Sequence, residues 1–168
     1  QLVDVYSWIP SLGLNFSLGV DGLGLIMVFL ATLLTPLVIL AGWNDVEDSA
    51  EQNPVSQPTG QVRGYFALML LMLAMTVTVF TALDVFLFYF VFEAVLIPVY
   101  FMIGRYGTGR RAYAAVKFLV YSLVGGLVML AALAVLWYVS VQAFDAPTLY
   151  LPDLMTIDID PTLQNWLF

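Results

Sequence analysis

Residues 65–104 form a run of 40 residues that carries only two charged side chains, Asp84 and Glu93. Wound as one α-helix, such a run would be about 60 Å long, twice the hydrocarbon thickness of a bilayer. It therefore has to turn back on itself, and the charged interruption at residues 82–84 marks the place. The expectation is a tight hairpin of two membrane-crossing helices. Two further stretches are equally apolar: 22–43 has no charge, and 112–141 has Lys117 alone. Four spans are thus expected, at about 22–43, 65–83, 85–104 and 112–141. Lipid offers backbone groups no partners, so each must be helical, and the runs are too long and too uniformly apolar for barrel strands. The fold class that follows is an all-α integral membrane protein, a single membrane domain over residues 1–168.

Composition agrees and removes several chemistries. The chain is 62% hydrophobic and 10% charged, with a mean hydropathy of +0.95, against about 25% charged residues in a soluble domain. It has no cysteine and no histidine. Thiolate zinc sites, iron–sulfur clusters, histidine-ligated haem and Ser-His-Asp catalysis are therefore excluded, and no metal or cofactor site is expected within the chain. The net charge of −7 argues against nucleic acid as a partner, which needs a basic footprint. The lipid bilayer is the partner that composition does require.

Arg105, Arg110 and Arg111 cluster in the short connection at 105–111. By the positive-inside rule this loop is cytoplasmic, and alternation puts the 44–64 loop on the same side. That loop is acidic but carries Arg63, and its Pro54, Pro58 and Gly60 read as a flexible polar linker. The N-terminus, the Asp84 turn and the 142–168 loop face the opposite side, with a short interfacial helix expected near 161–168. The last span, at 30 residues, should overshoot the bilayer. The sequence starts at Gln1 with no methionine and shows no basic n-region before an apolar core, so a signal peptide is not expected, and the aromatic end at 165–168 reads as the approach to another membrane segment. The expectation is a fragment of a longer chain.

Glu93 lies about eight residues into its span, near the bilayer centre. An ionised side chain at that depth costs about 2.5–3.5 kcal/mol on insertion scales, so a carboxyl there is poised to exchange a proton. Tyr89 and Tyr100 share its helix face. Pro98 frees the carbonyl of Ala94 and is expected to kink the helix beside the acid. The plainer alternative is a buried acid that only fixes packing. Lys117 is the one lysine and has Tyr113 and Tyr121 a turn to either side. It either snorkels towards the arginine loop or faces the bundle interior as a partner for an acid. Ser122 and Gly126 give a small-xxx-small spacing, read as helix packing. Asp21 reads as an N-cap, and Pro36 as a bend whose freed groups Thr32 and Thr35 satisfy.

The segments Phe16-Ser17-Leu18-Gly19-Val20-Asp21-Gly22-Leu23, Phe92-Glu93-Ala94-Val95-Leu96-Ile97-Pro98-Val99-Tyr100 and Ala115-Val116-Lys117-Phe118-Leu119-Val120-Tyr121 together resemble the antiporter-like membrane subunits of proton-pumping NADH:quinone oxidoreductase, respiratory complex I. The resemblance runs through nearly the whole chain and is carried least by 44–64 and 145–162. It implies that the spans are similar to helices three to six of a fourteen-helix subunit. It implies a proton relay through Glu93 and Lys117, with the partner lysine of the glutamate on a helix beyond this chain. It implies electron transport in other subunits, which would hold the flavin and iron–sulfur clusters. The implied partners are other complex I subunits, above all neighbouring antiporter-like ones, in a bacterial plasma membrane or an organelle inner membrane. Two other readings stay open: a large subunit of a multi-subunit cation/proton antiporter, and a purely structural membrane subunit.

Overall fold

The computed structural model describes residues 3–42, 58–107, 109–144, 147–157 and 164. Four long helices dominate it: α1 (Gly22–Ala41), α2 (Pro58–Thr81), α3 (Val85–Tyr106) and α4 (Arg111–Phe144). Each is long and apolar enough to cross a membrane. They pack in chain order, α1 on α2, α2 on α3 and α3 on α4, so α3 has neighbours on two sides. The threonines inside α2 turn their hydroxyls back on their own helix, Thr76 to the Met72 carbonyl at 2.8 Å and Thr78 to Ala74 at 2.9 Å. Hydroxyls satisfied in this way leave the span apolar towards its surroundings.

Helix boundaries follow local chemistry. Asp21 caps α1 by accepting from the Gly24 N–H at 2.6 Å, as its position before the first span predicted. Pro58 opens α2, where its missing N–H is harmless. Residues 58–64, expected to be linker, are therefore the first two turns of a helix; residues 44–57 of that linker lie outside the described part. In α1 the helix runs through Pro36. The Thr32 hydroxyl donates to the Val28 and Phe29 carbonyls and that of Thr35 to Ala31. Neither reaches the Thr32 carbonyl that Pro36 frees, because at these rotamers each hydroxyl lies over the preceding turn. At the arginine-bearing end, the Arg111 guanidinium donates to the Arg105 carbonyl at 3.0 Å and ties α3 to α4 where unpaired carbonyls end a helix.

The all-α expectation omits one feature. Residues 3–19 form an antiparallel hairpin, β1 (Val3–Ile9) and β2 (Leu14–Gly19), which pairs Tyr6 with Phe16 and Ser7 with Asn15. Its turn contains Gly13 at φ +69°, and a side chain there would run into the carbonyl of Pro147. The hairpin, the turn between α2 and α3, and the segment after α4 meet at one end of the bundle. The Leu83 N–H donates to the Ser17 carbonyl at 3.0 Å, Val85 N–H to Leu149 at 2.9 Å, and Leu151 N–H to Leu83 at 2.8 Å. Leu14, Leu149 and Leu154, the last in the short helix α5 (Leu151–Leu154), make a small apolar core there. The α4 overhang closes it: the Trp137 indole N–H donates to the Leu12 carbonyl at 3.0 Å. The interfacial helix expected near 161–168 falls outside the described residues except for Gln164.

At the centre of this junction is Asp84, which is 1% exposed. One carboxylate oxygen accepts from the Phe86 and Leu87 amides at 2.9 and 3.2 Å, capping α3. The other accepts from the Asn15 amide of β2 at 3.0 Å. The residue that interrupts the long apolar run thus caps one helix and anchors the hairpin.

Candidate functional site

Glu93 sits on the side of α3 that meets α4. Its Oε1 is buried and has no hydrogen-bond partner among the described residues. Opposite it is Gly126: the carboxylate fills the space a side chain at that position would take, and a Cβ there would collide with Oε1, Cδ and Oε2. The buried residues of α4 are Ala115, Gly126, Leu133 and Ser140, a seam along one face. Near its arginine end the two helices also meet, in ordinary contact: a Cβ on Gly104 would lie 3.5 Å from that of Ala115. Small residues on both helices allow this approach.

The two contacts share one register. Glu93 and Gly126 are equidistant from the connection at Gly109 and Arg110, and so are Gly104 and Ala115. In an antiparallel helix pair, residues equidistant from the connection lie at the same level. Lys117 is therefore level with Met102, about 13 Å along the axis from Glu93 at 1.5 Å per residue. It is also about two and a half turns from Gly126, which points it to the opposite side of α4. Lys117 is exposed, and its Nζ lies 5.8 Å over the ring of Tyr121. Tyr113 and Tyr121 occupy the same outer face, Tyr113 under the Arg110 guanidinium at 4.9 Å. The structure thus brings Lys117 together with Tyr121 and not with Glu93.

Pro98 is completely buried, one turn beyond Glu93 on the packed side of α3. Tyr89 and Tyr100 are half-buried, and neither hydroxyl bonds to Glu93 among the described residues. Two residues of consequence were not legible as such. Gly126 read as generic packing, although its distance from the arginine connection equals that of Glu93. Asp84 read as a turn, although an aspartate before a helical run is a cap signal. Among the described residues no group of three His, Cys, Asp or Glu side chains comes together.

Fold and site define an integral membrane helical bundle with an ionisable group in its interior. The chain belongs to the transmembrane family of NADH:quinone oxidoreductase and Mrp antiporter subunits, which matches it over residues 82–167. It is 44% identical over 166 residues to NADH-quinone oxidoreductase subunit M of Mycobacterium tuberculosis, covering 88% of this chain and 30% of that protein. It is 40% identical over 154 residues to NAD(P)H-quinone oxidoreductase chain 4 of a Picosynechococcus species, covering 91% of this chain and 26% of that one. It is similar in structure to a chain of respiratory complex I from Thermus thermophilus with bound NADH. The TM-score is 0.72 at 29% identity, over 98% of this chain and 31% of the other. The chain spans under a third of the length of each of these proteins. The resemblance drawn from the three sequence segments agrees with these findings.

Proposed function

We propose that this chain is the part of a complex I membrane-arm subunit, of the chain M or chain 4 type, that carries one proton-accepting site. Quinone reduction in other subunits would drive proton transfer through it, with Glu93 as the group that takes up and releases the proton. The observation that carries this reading is the Glu93 carboxylate, inside a span, aimed at α4, with an oxygen that no described protein group satisfies. An intramembrane acid without a fixed partner is costly unless its charge changes hands. Lys117, on the outer face of α4, would act on Glu93 only through elements beyond the segment seen here or through the field of its charge. Tyr89 and Tyr100 line the approach along α3, and Pro98 leaves the Ala94 carbonyl free beside it. The flavin and iron–sulfur clusters belong to partner subunits on this reading, and the membrane is a bacterial plasma membrane.

The test uses the full-length protein in its assembled complex. Inside-out membrane vesicles bearing Glu93→Gln should keep NADH oxidation with an artificial acceptor, which reports assembly. They should lose most NADH-driven acidification, because a glutamine of the same shape carries no exchangeable charge. Unchanged acidification would make Glu93 structural and end the relay reading. The family also includes Mrp antiporters, so sodium-dependent proton exchange without NADH oxidation would favour the antiporter alternative.

A further inference from the structure

We infer that Gly126 is a positioning residue for Glu93: its missing side chain is the seat that holds the carboxylate against the backbone of α4. The inference rests on the relay reading above and adds to it the helix that fixes where the proton is held. Gly126 is buried, and the three atoms that a Cβ would strike all belong to the Glu93 carboxylate. No backbone atom and no other side chain lies among them. The neighbouring Gly125 has nothing within 4 Å of the same imagined atom, so the close fit belongs to position 126 alone.

This pattern separates placement from folding. A methyl group at 126 meets the far end of a flexible side chain, which can rotate away without moving either helix. Alanine is also the better helix former. Gly126→Ala should therefore leave the bundle folded and move the carboxylate out of its seat. The titratable groups around that seat are few. Tyr89 and Tyr100 lie on the same helix, α4 turns Lys117 to its far side, and α2 brings only Arg63 and Tyr65, at its start. A displaced carboxylate would face different neighbours.

Four variants of the full-length protein in its complex test this: Gly126→Ala, Gly125→Ala, Glu93→Gln, and Glu93→Asp combined with Gly126→Ala. Gly126→Ala should assemble with parental NADH oxidation to an artificial acceptor. Its proton pumping should fall about tenfold or more, since a misplacement of about 1 Å can cost on the order of 100-fold, and the pH profile of the remainder should move. Gly125→Ala should pump as the parent does. The shorter aspartate should recover pumping in the Gly126→Ala background, because it retracts the carboxylate by one methylene. Parental pumping and pH profile in Gly126→Ala, with Glu93→Gln inactive, would overturn the positioning role and leave the relay intact. Failure of Gly126→Ala to assemble while Gly125→Ala assembles would also overturn it, making Gly126 a packing residue. Normal pumping by Glu93→Gln would remove the relay and this inference together.

Discussion

Asp84 and Glu93 are nine residues apart and are both enclosed acids, yet their surroundings assign them different work. Glu93 has an oxygen without a hydrogen-bond partner among the described residues, whereas Asp84 accepts three backbone N–H bonds from two elements. Burial pushes the Asp84 carboxyl above its ordinary range, and the amides of Asn15, Leu87 and Phe86 pull against that rise. A raised value in the folded state means that the group's contribution to stability is complete below the ordinary carboxylate range. It is lost as pH climbs through the raised value. Hydrogen exchange at Leu83, Val85 and Leu151, corrected for its intrinsic pH dependence, should therefore show the strongest protection in acid and a decline through that titration. Asp84→Asn should flatten the profile, and a flat profile in the parent would show that the junction does not sense this carboxyl. Asparagine has one acceptor oxygen, so it can keep the α3 cap while presenting a donor to the Asn15 amide. Asp84→Ala abandons all three amides and should destabilise the junction by about 1–3 kcal/mol.

The junction is an assembly of elements, and its tightest point is the hairpin turn. Gly13 is in the left-handed region and faces the Pro147 carbonyl. Gly13→Ala meets both penalties: about 1–2 kcal/mol for the backbone conformation, and a collision that pushes the segment after α4 away. Limited proteolysis of the assembled protein should show faster cleavage after α4 in this variant than in Gly22→Ala, where the added methyl enters open space. Equal cleavage would show that the turn does not hold that segment. The helices were legible in the sequence because long uncharged runs have one solution in lipid. The hairpin was not read, although Val3, Val5, Ser7 and Ile9 alternate with Asp4, Tyr6 and Trp8. Both sets mix apolar with polar residues, so no buried face stands out, and the pairing depends on contacts up to 125 residues away, as from Trp137 to Leu12. The same limit hid the seat of Glu93. One sequence shows that Gly126 is small, but which side chain fills the space depends on the register between two helices.

Among the described residues the arginines gather at one end of the molecule. Arg63, Arg105, Arg110 and Arg111 all lie near the end where α2 begins and α3 meets α4. The hairpin, Asp84 and α5 lie at the other. Apart from Lys117, the outer faces of α1 and α4 are largely apolar and exposed, with Leu23, Phe29, Leu40, Leu127 and Val128 among them, as suits contact with lipid or with further helices. On our proposal the four spans put the hairpin and the segment after α4 on one side, and the arginine rule would make the other side cytoplasmic. The chain has no cysteine, so a single introduced thiol reports its own side, provided that the full-length background is cysteine-free. Ser7 in β1 and Ala112 in the first turn of α4 are both exposed, and the arrangement puts them on opposite sides. With a membrane-impermeant maleimide, Ser7→Cys should label in right-side-out vesicles and Ala112→Cys only in inside-out ones. The reverse pattern would invert the protein in the membrane. Labelling of both from one side would mean that one of the three helices between them, α1, α2 or α3, does not cross.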